Sequence, residues 1–350
     1  MKRLIGAVVV IALLAGVGYL AQVYLRASGA FASVEPRLAE QCASIDVHPG
    51  TEDVTFDPET GWAFVSASVR RVEQAAASAE DGIWAVDPSG RAAPRRVSLD
   101  VPADFHPHGI SLWTGENGAQ RLFAVSHRRD GAHVIEVFDV GENLALRHAE
   151  TVTFDALISP NDILGVGLDS FYVTNDHGNV GGLMGALETW LALPLASVAY
   201  FDGEAGTIVA GGLAYANGIE MSDDGGTVYV AEVLGRAVTA YDRDAETGAL
   251  ARARRYPIAS GLDNIEIAED GALFVAGHPD VFAFLAHGGD ETVISPSQVL
   301  RLDPETGDVE TVFAALEGEI NAASVGAVHD GRLLVGAVFD AHVLSCPMGE

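Results

Sequence analysis

The chain has 350 residues, 49% of them apolar, and a formal net charge of -29 with only 20 Lys and Arg. That length buries a large core, and the composition is too apolar for a disordered chain. Because the basic residues do not gather into runs, nucleic acid is excluded as a partner, and the acidity reads as a solvated surface.

From Leu4 to Leu25 the chain is apolar and uncharged, with Gln22 as its one strongly polar interruption. At about 1.5 Å per residue a helix of that length crosses a hydrocarbon layer of about 30 Å. Lys2 and Arg3 in front of it keep the N-terminus in the cytoplasm and export the remainder. Residues 1–28 therefore read as a membrane anchor, with a cleaved signal peptide as the alternative. Residues 29–350 form the exported part, anchored on the periplasmic or extracellular side, or secreted if the segment is cleaved. Cys42 and Cys346 lie at the two ends of that part. In an oxidising compartment a bridge between them is the natural pairing, two unpaired buried thiols being the alternative.

An internal repeat follows. Six strand-like runs occupy Trp62 to Val65, Leu122 to Val125, Phe171 to Val173, Val228 to Val230, Leu273 to Val275 and Leu333 to Val335. Each is followed by a second run, five ending at Asp87, Asp139, Asp202, Asp242 and Asp303 and the sixth at Cys346. Intervals of about 45 to 60 residues fit propeller blades, so the expected fold is all-β, a six-bladed β-propeller. Asp-Gly at 81, 130, 202, 224, 270 and 330 supplies tight hairpin turns. One segment breaks the pattern: from Leu183 to Leu193 the apolar residues Leu183, Met184, Leu187, Trp190 and Leu191 recur at helical spacing before Pro194. It predicts a short helix over one face of the ring, either packed into the core or forming an apolar lid.

Three motifs, Asn161-Asp162-Ile163, Asn217-Gly218-Ile219 and Asp263-Asn264-Ile265, sit about 50 residues apart at turns beside the strand-like runs. With Glu52-Asp53 they predict one oxygen-rich site assembled from several blades. His108, in Pro107-His108-Gly109-Ile110, and His127, after a strand, add two histidines. Carboxylate and amide oxygens are hard ligands suited to Ca²⁺, and the lack of cysteine in the set weighs against structural zinc. A histidine of near-neutral pKa beside such an ion can act as a general base.

These motifs, together with Ser126-His127, Thr174-Asn175-Asp176-His177, Gly277-His278-Pro279 and the Cys42/Cys346 pair, occur in the order seen in the paraoxonase/arylesterase family, which the chain resembles from about residue 40 to its C-terminus. The resemblance implies a six-bladed propeller with two calcium ions in its tunnel, hydrolysing lactones, aryl esters and, promiscuously, some phosphotriesters. It implies that Glu52, Asn161, Asn217, Asp263 and Asn264 hold the catalytic calcium, and that Asp53, Asp162 and the carbonyl of Ile110 hold a structural one. His108 becomes the base and His127 its orienting partner, while Asp176, His177 and His278 are further pocket candidates and His106 is left as exposed turn chemistry. Between Ser68 and Gly82 the chain reads Val69 to Gln74 and then an Ala-rich stretch, without the aromatic residue that animal members carry over the site.

Other classes are less well supported. No GxSxG elbow is present, which removes a serine hydrolase of that type. The carboxylates look committed to metal rather than to glycoside hydrolysis. A gluconolactonase or strictosidine synthase-like propeller and a non-enzymatic, membrane-anchored binding propeller are the two alternatives to the hydrolase.

Overall fold

In the computed structural model, which describes residues 2–32, 34–71 and 78–349, the apolar runs and glycine turns become six antiparallel four-stranded sheets. The innermost strands are β2 (Thr51–Phe56), β6 (Pro107–Thr114), β10 (Pro160–Gly165), β14 (Ala216–Met221), β18 (Gly261–Ile267) and β22 (Ala323–His329). Each contacts the next, and β22 contacts β2, so the sheets close into a ring around an axial tunnel. The expected six-bladed propeller is the observed fold. Large apolar side chains fill the gaps between blades, as where Phe64 and Ile83 of one sheet meet Leu122 and Phe138 of the next.

The runs recognised in the sequence are the second and third strands of each blade, which are buried on both faces and read as continuous apolar stretches. The innermost strands begin with polar motifs that look like turns, and here the expectation needs correction: the asparagine motifs lie inside strands β10, β14 and β18. Outer strands such as Leu250–Pro257 are largely exposed and polar, so they carry no burial signal. Five of the six Asp-Gly pairs have their glycine at positive φ, namely Gly131, Gly203, Gly225, Gly271 and Gly331. The exception is Asp81-Gly82, whose aspartate is buried and accepts hydrogen bonds from Ser68 and the Val69 N–H.

Three α-helices appear among the described residues: α1 (Lys2–Ala27), α2 (Gly182–Trp190) and α3 (Val281–Gly289). Over Ile5–Ala27, α1 has a mean hydropathy of 2.2, long and apolar enough to cross a membrane as an anchor or a signal segment. Its end touches the propeller: Tyr19 donates to the Leu191 carbonyl at 2.7 Å, and Tyr24 lies against Trp190 and Phe282. Helix α2 ends at Trp190, three residues before the expected Leu193. Its apolar face is not core, since Leu183 is 76% and Trp190 52% exposed; the helix is held by buried Glu188, which accepts from the N–H groups of Gly178 and Asn179. Helix α3 was not expected. Asp280 caps it by accepting from the N–H groups of Phe282 and Ala283. Residues 72–77, within the segment lacking the family's aromatic, lie outside the described residues.

The ring is fastened where its two ends meet. Strand β1 (Ala43–Asp46) pairs with β24 (His342–Pro347), with Ala43 opposite Ser345, so the last blade takes strands from both termini. The Cys42–Cys346 disulfide sits at that seam, closing a sequence separation of 304 residues. Cross-linking so long a loop constrains the unfolded chain far more than the folded one. Reduction, or Cys42→Ser, is therefore expected to lower stability by about 2–4 kcal/mol, read as a drop in denaturation midpoint with unchanged secondary structure. Unchanged stability on reduction would mean that the β1–β24 pairing alone secures the seam.

Candidate functional site

Each innermost strand is irregular at its first residues. The pairing register shifts between Thr51 and Asp53, Pro107 and Ile110, Pro160 and Ile163, Ala216 and Ile219, Leu262 and Ile265, and Ala323 and Val325. Such bulges re-aim side chains that a regular strand would send to alternate faces. The candidate ligands and His108 all sit at them. The glycines within two of the motifs make the convergence possible: a Cβ on Gly109 would lie 2.3 Å from Asp162 Oδ1, and one on Gly218 would lie 2.6 Å from Asn264 Cα.

Glu52, Asn161, Asn217, Asp263 and Asn264 are all buried at this level. Glu52 Oε2, Asn161 Oδ1, Asn217 Oδ1 and Asn264 Oδ1 have no hydrogen-bond partner, although each is shielded from solvent. A buried polar atom left unpaired costs about 1–3 kcal/mol, so four of them at the starts of four inner strands call for a common partner. Among the described residues no three His, Cys, Asp or Glu side chains form a metal-binding group, because most donors here are amides. The hydrogen bonds that do exist orient the set. Asn264 Nδ2 donates to Glu52 Oε1 at 3.1 Å and to the Glu52 carbonyl, leaving its own oxygen free. Asp263 Oδ2 is 2.7 Å from His278 Nε2, and the His278 ring stacks on Phe284 of α3. His278 thus positions Asp263 from behind.

Burial raises the Asp263 carboxyl, with His278 opposing it. For Glu52 burial also acts upward, but the charge and hydrogen bond of His108, with Arg70 and Asn264, outweigh it and hold the carboxyl below its ordinary value. One residue along each strand lie Asp53 and Asp162. Asp53 accepts from Val54 N–H and, across the blade gap, from Ile110 N–H at 2.7 Å. Asp162 accepts from Ile163 N–H and Ile219 N–H at 2.9 Å. Both carboxyls are pushed well above the ordinary range, first by burial and next by a neighbouring carboxylate, Glu52 for Asp53 and Asp53 for Asp162.

His108 stands beside this cluster, its Nε2 3.4 Å from Glu52 Oε1. Its Nδ1 is 2.9 Å from His127 Nε2, and His127 Nδ1 is in turn 2.8 Å from Nδ1 of His133. Burial, then the charges of His108 and His133, push His127 down to about 2, so it is neutral at any physiological pH. His133, Arg70 and Ser324 were not singled out from the sequence. Arg70 lies 3.9 Å from Glu52 and donates to the Gly50 and Ser68 carbonyls, while Ser324 Oγ donates to the Glu52 carbonyl at 2.6 Å. His133 stands directly opposite His127 across a glycine-containing turn, a pairing set by strand register rather than by residue type.

Asp176 and His177 belong to a separate group. His177 bridges Asp176 and Thr189 of α2, both at 2.8 Å, and its hydrogen bond to Asp176 raises its pKa. His106 is not exposed turn chemistry, since it lies between Asp81 at 2.6 Å and Asp104 at 3.0 Å.

The arylesterase family model matches residues 83–348. Serum paraoxonase/arylesterase 1 of Rattus norvegicus is 34% identical over 247 residues, covering 69% of this chain and 68% of its own. Serum paraoxonase/arylesterase 2 of Gallus gallus is 30% identical over 319 residues, covering 87% and 88%. Among solved structures, a gluconolactonase from Xanthomonas campestris superposes with a TM-score of 0.57 at 17% identity, covering 91% of this chain and 96% of that one, a likeness of fold.

The electrostatics of the histidine chain can be read directly. ¹⁵N NMR is expected to show no titration of His127 between about pH 4 and 8, the range in which an ordinary histidine changes charge. A midpoint near 6.5 would show that the ring is solvated rather than enclosed.

Proposed function

The chain belongs to the arylesterase family, and from that premise we propose that it hydrolyses lactones and aryl esters at the inner-strand cluster, with His108 as base and calcium held by Glu52, Asn161, Asn217, Asp263 and Asn264. The observation that carries this reading is the set of four buried, unpartnered oxygens beside His108. The donors suit the ion: all are hard oxygens, several are neutral amides, and the two carboxylates balance one divalent charge. When bound, calcium supplies polarisation of the ester carbonyl and countercharge for the oxyanion.

The chain's own residues do the rest. His108 Nε2 takes a proton from the attacking water, and His127 holds the imidazole through Nδ1. His278 and Asn264 fix the orientations of Asp263 and Glu52. A second, structural ion is proposed at Asp53 and Asp162 with the Ile110 carbonyl. Its support is the pair of buried carboxyls Asp53 and Asp162, whose proton affinity is raised by burial and by the Glu52 carboxylate, with Asp53 adding at Asp162, and which a second cation would neutralise. Asp176 and His177 shape the rim beneath α2 rather than the reacting centre. Residues 1–28 serve as the membrane segment and 29–350 as the hydrolase domain on its periplasmic or extracellular side.

The decisive experiment follows hydrolysis of a lactone and aryl-ester panel by the full chain, with calcium, after chelation, and in variants. His108→Gln is expected to lower kcat about 10²–10⁴-fold while retaining calcium and thermal stability. Asn217→Ala or Asn161→Ala should weaken calcium binding in titration calorimetry, independently of turnover. Full activity in the His108 variant would remove it as base. Unchanged calcium affinity in both asparagine variants would move the ion elsewhere. Protons compete for the raised carboxyls, so the stabilisation by calcium should be larger at about pH 8 than at about pH 5, measured as the shift in thermal midpoint on adding the ion.

A further inference from the structure

The row of imidazoles does not end at the orienting pair. His127 closes strand β7 (Gln120–His127) and His133 opens β8 (His133–Val140), and the two face each other in register across the hairpin. Their Nδ1 atoms are 2.8 Å apart, and the rings meet edge to face at 4.9 Å. His133 is partly exposed, at the outer end of the chain of rings. We propose that His133 is a positioning residue of the hydrolytic site, which accepts the Nδ1 proton of His127 and so leaves a lone pair on His108 Nε2, on the side of the ring facing the Glu52 oxygen cluster. This rests on the reading of His108 as base.

Counting protons shows why a third ring is needed. A neutral imidazole carries one N–H. His127 is neutral and is bonded at both nitrogens, so it donates to one neighbour and accepts from the other. If it donates from Nε2, His108 Nδ1 accepts, the His108 proton sits on Nε2 facing Glu52, and no lone pair is left to receive a proton from water. If it donates from Nδ1 to His133, every bond reverses: His108 donates from Nδ1 and its Nε2 is bare. Only the second polarity yields a base, and His133 is the group placed to accept at its far end.

The same logic assigns His133 a pH role. Once protonated it can only donate at Nδ1, which imposes the unproductive polarity. The charged and titratable groups acting on it are Asp176, His108 and, at hydrogen-bond distance, His127. Burial lowers its pKa, Asp176 opposes and His108 adds, with a net lowering that favours the accepting, neutral form.

The test compares three variants of the full chain in detergent with calcium present. His133→Asn keeps an acceptor oxygen, His133→Lys offers only a donor, and His133→Ala offers neither. The expected result is kcat near wild type for Asn, a fall of about 10–100-fold for Lys with KM unchanged, and a loss in Ala partly restored by added imidazole. ¹⁵N spectra should place the His127 proton on Nδ1 in the wild type and on Nε2 in His133→Lys. Equal kcat in the Asn and Lys variants, or a wild-type His127 protonated at Nε2, would overturn the assignment. Failure of the base itself is distinguishable, because it would appear as retained turnover in His108→Gln, while the His127 tautomer still reports on His133.

Discussion

Six inner strands converging on one axis bury the polar side chains at their first residues, among them Glu52, Asp53, Asn161, Asp162, Asn217, Asp263 and Asn264. Everything distinctive about this protein follows from placing polar groups there. A propeller could fill its axis with small apolar residues, yet each inner strand here begins with a bulge, and five of the six carry a carboxylate, amide or imidazole at that point. The desolvation penalty is met in part by hydrogen bonds between blades, such as Asp53 to Ile110 and Asp162 to Ile219. The remainder is concentrated in four orphaned oxygens, and the proposed cation would recover it. Stability and function therefore share a location, since the groups that couple the blades border those that carry the chemistry.

The physical basis of legibility differs between the wall of the ring and its axis. The second and third strands of each blade are apolar on both faces, and their spacing was enough to infer six blades. The axial strands were hidden because Pro107-His108-Gly109 and Ala216-Asn217-Gly218 have the composition of turns, glycine being required by interstrand approach rather than by a reversal of chain direction. The convergence of the asparagine motifs was legible from residue type, since amides at repeated intervals have few other reasons to line an axis. His133 was not, because cross-strand pairing between β7 and β8 is a matter of register, which depends on the length of the hairpin connection. The helices divide similarly: α2 announced itself by periodicity, whereas α3, with glycines and a histidine in its last turn, did not.

Two histidines two residues apart illustrate how environment, rather than residue type, assigns roles. His106 is bonded through both nitrogens to carboxylates, Asp81 and Asp104, and Asp81 also receives His48 at 2.8 Å and the hydroxyl of Ser68. With both nitrogens committed to anions, His106 is a clamp: it ties the residues before β6 to those flanking the 72–77 segment. His108 has one nitrogen held by a neutral imidazole and the other facing the oxygen cluster. Only one nitrogen of His108 is engaged by another ring, whereas both nitrogens of His106 are engaged by aspartates. The clamp also bears on the base. By fixing the backbone at His106, it fixes the point from which His108 enters the tunnel, and an imidazole that must meet His127 at 2.9 Å and Glu52 at 3.4 Å tolerates little displacement. The histidine held by two carboxylates is thus the less suited to act as a base, and its rigidity supports the role proposed for its neighbour.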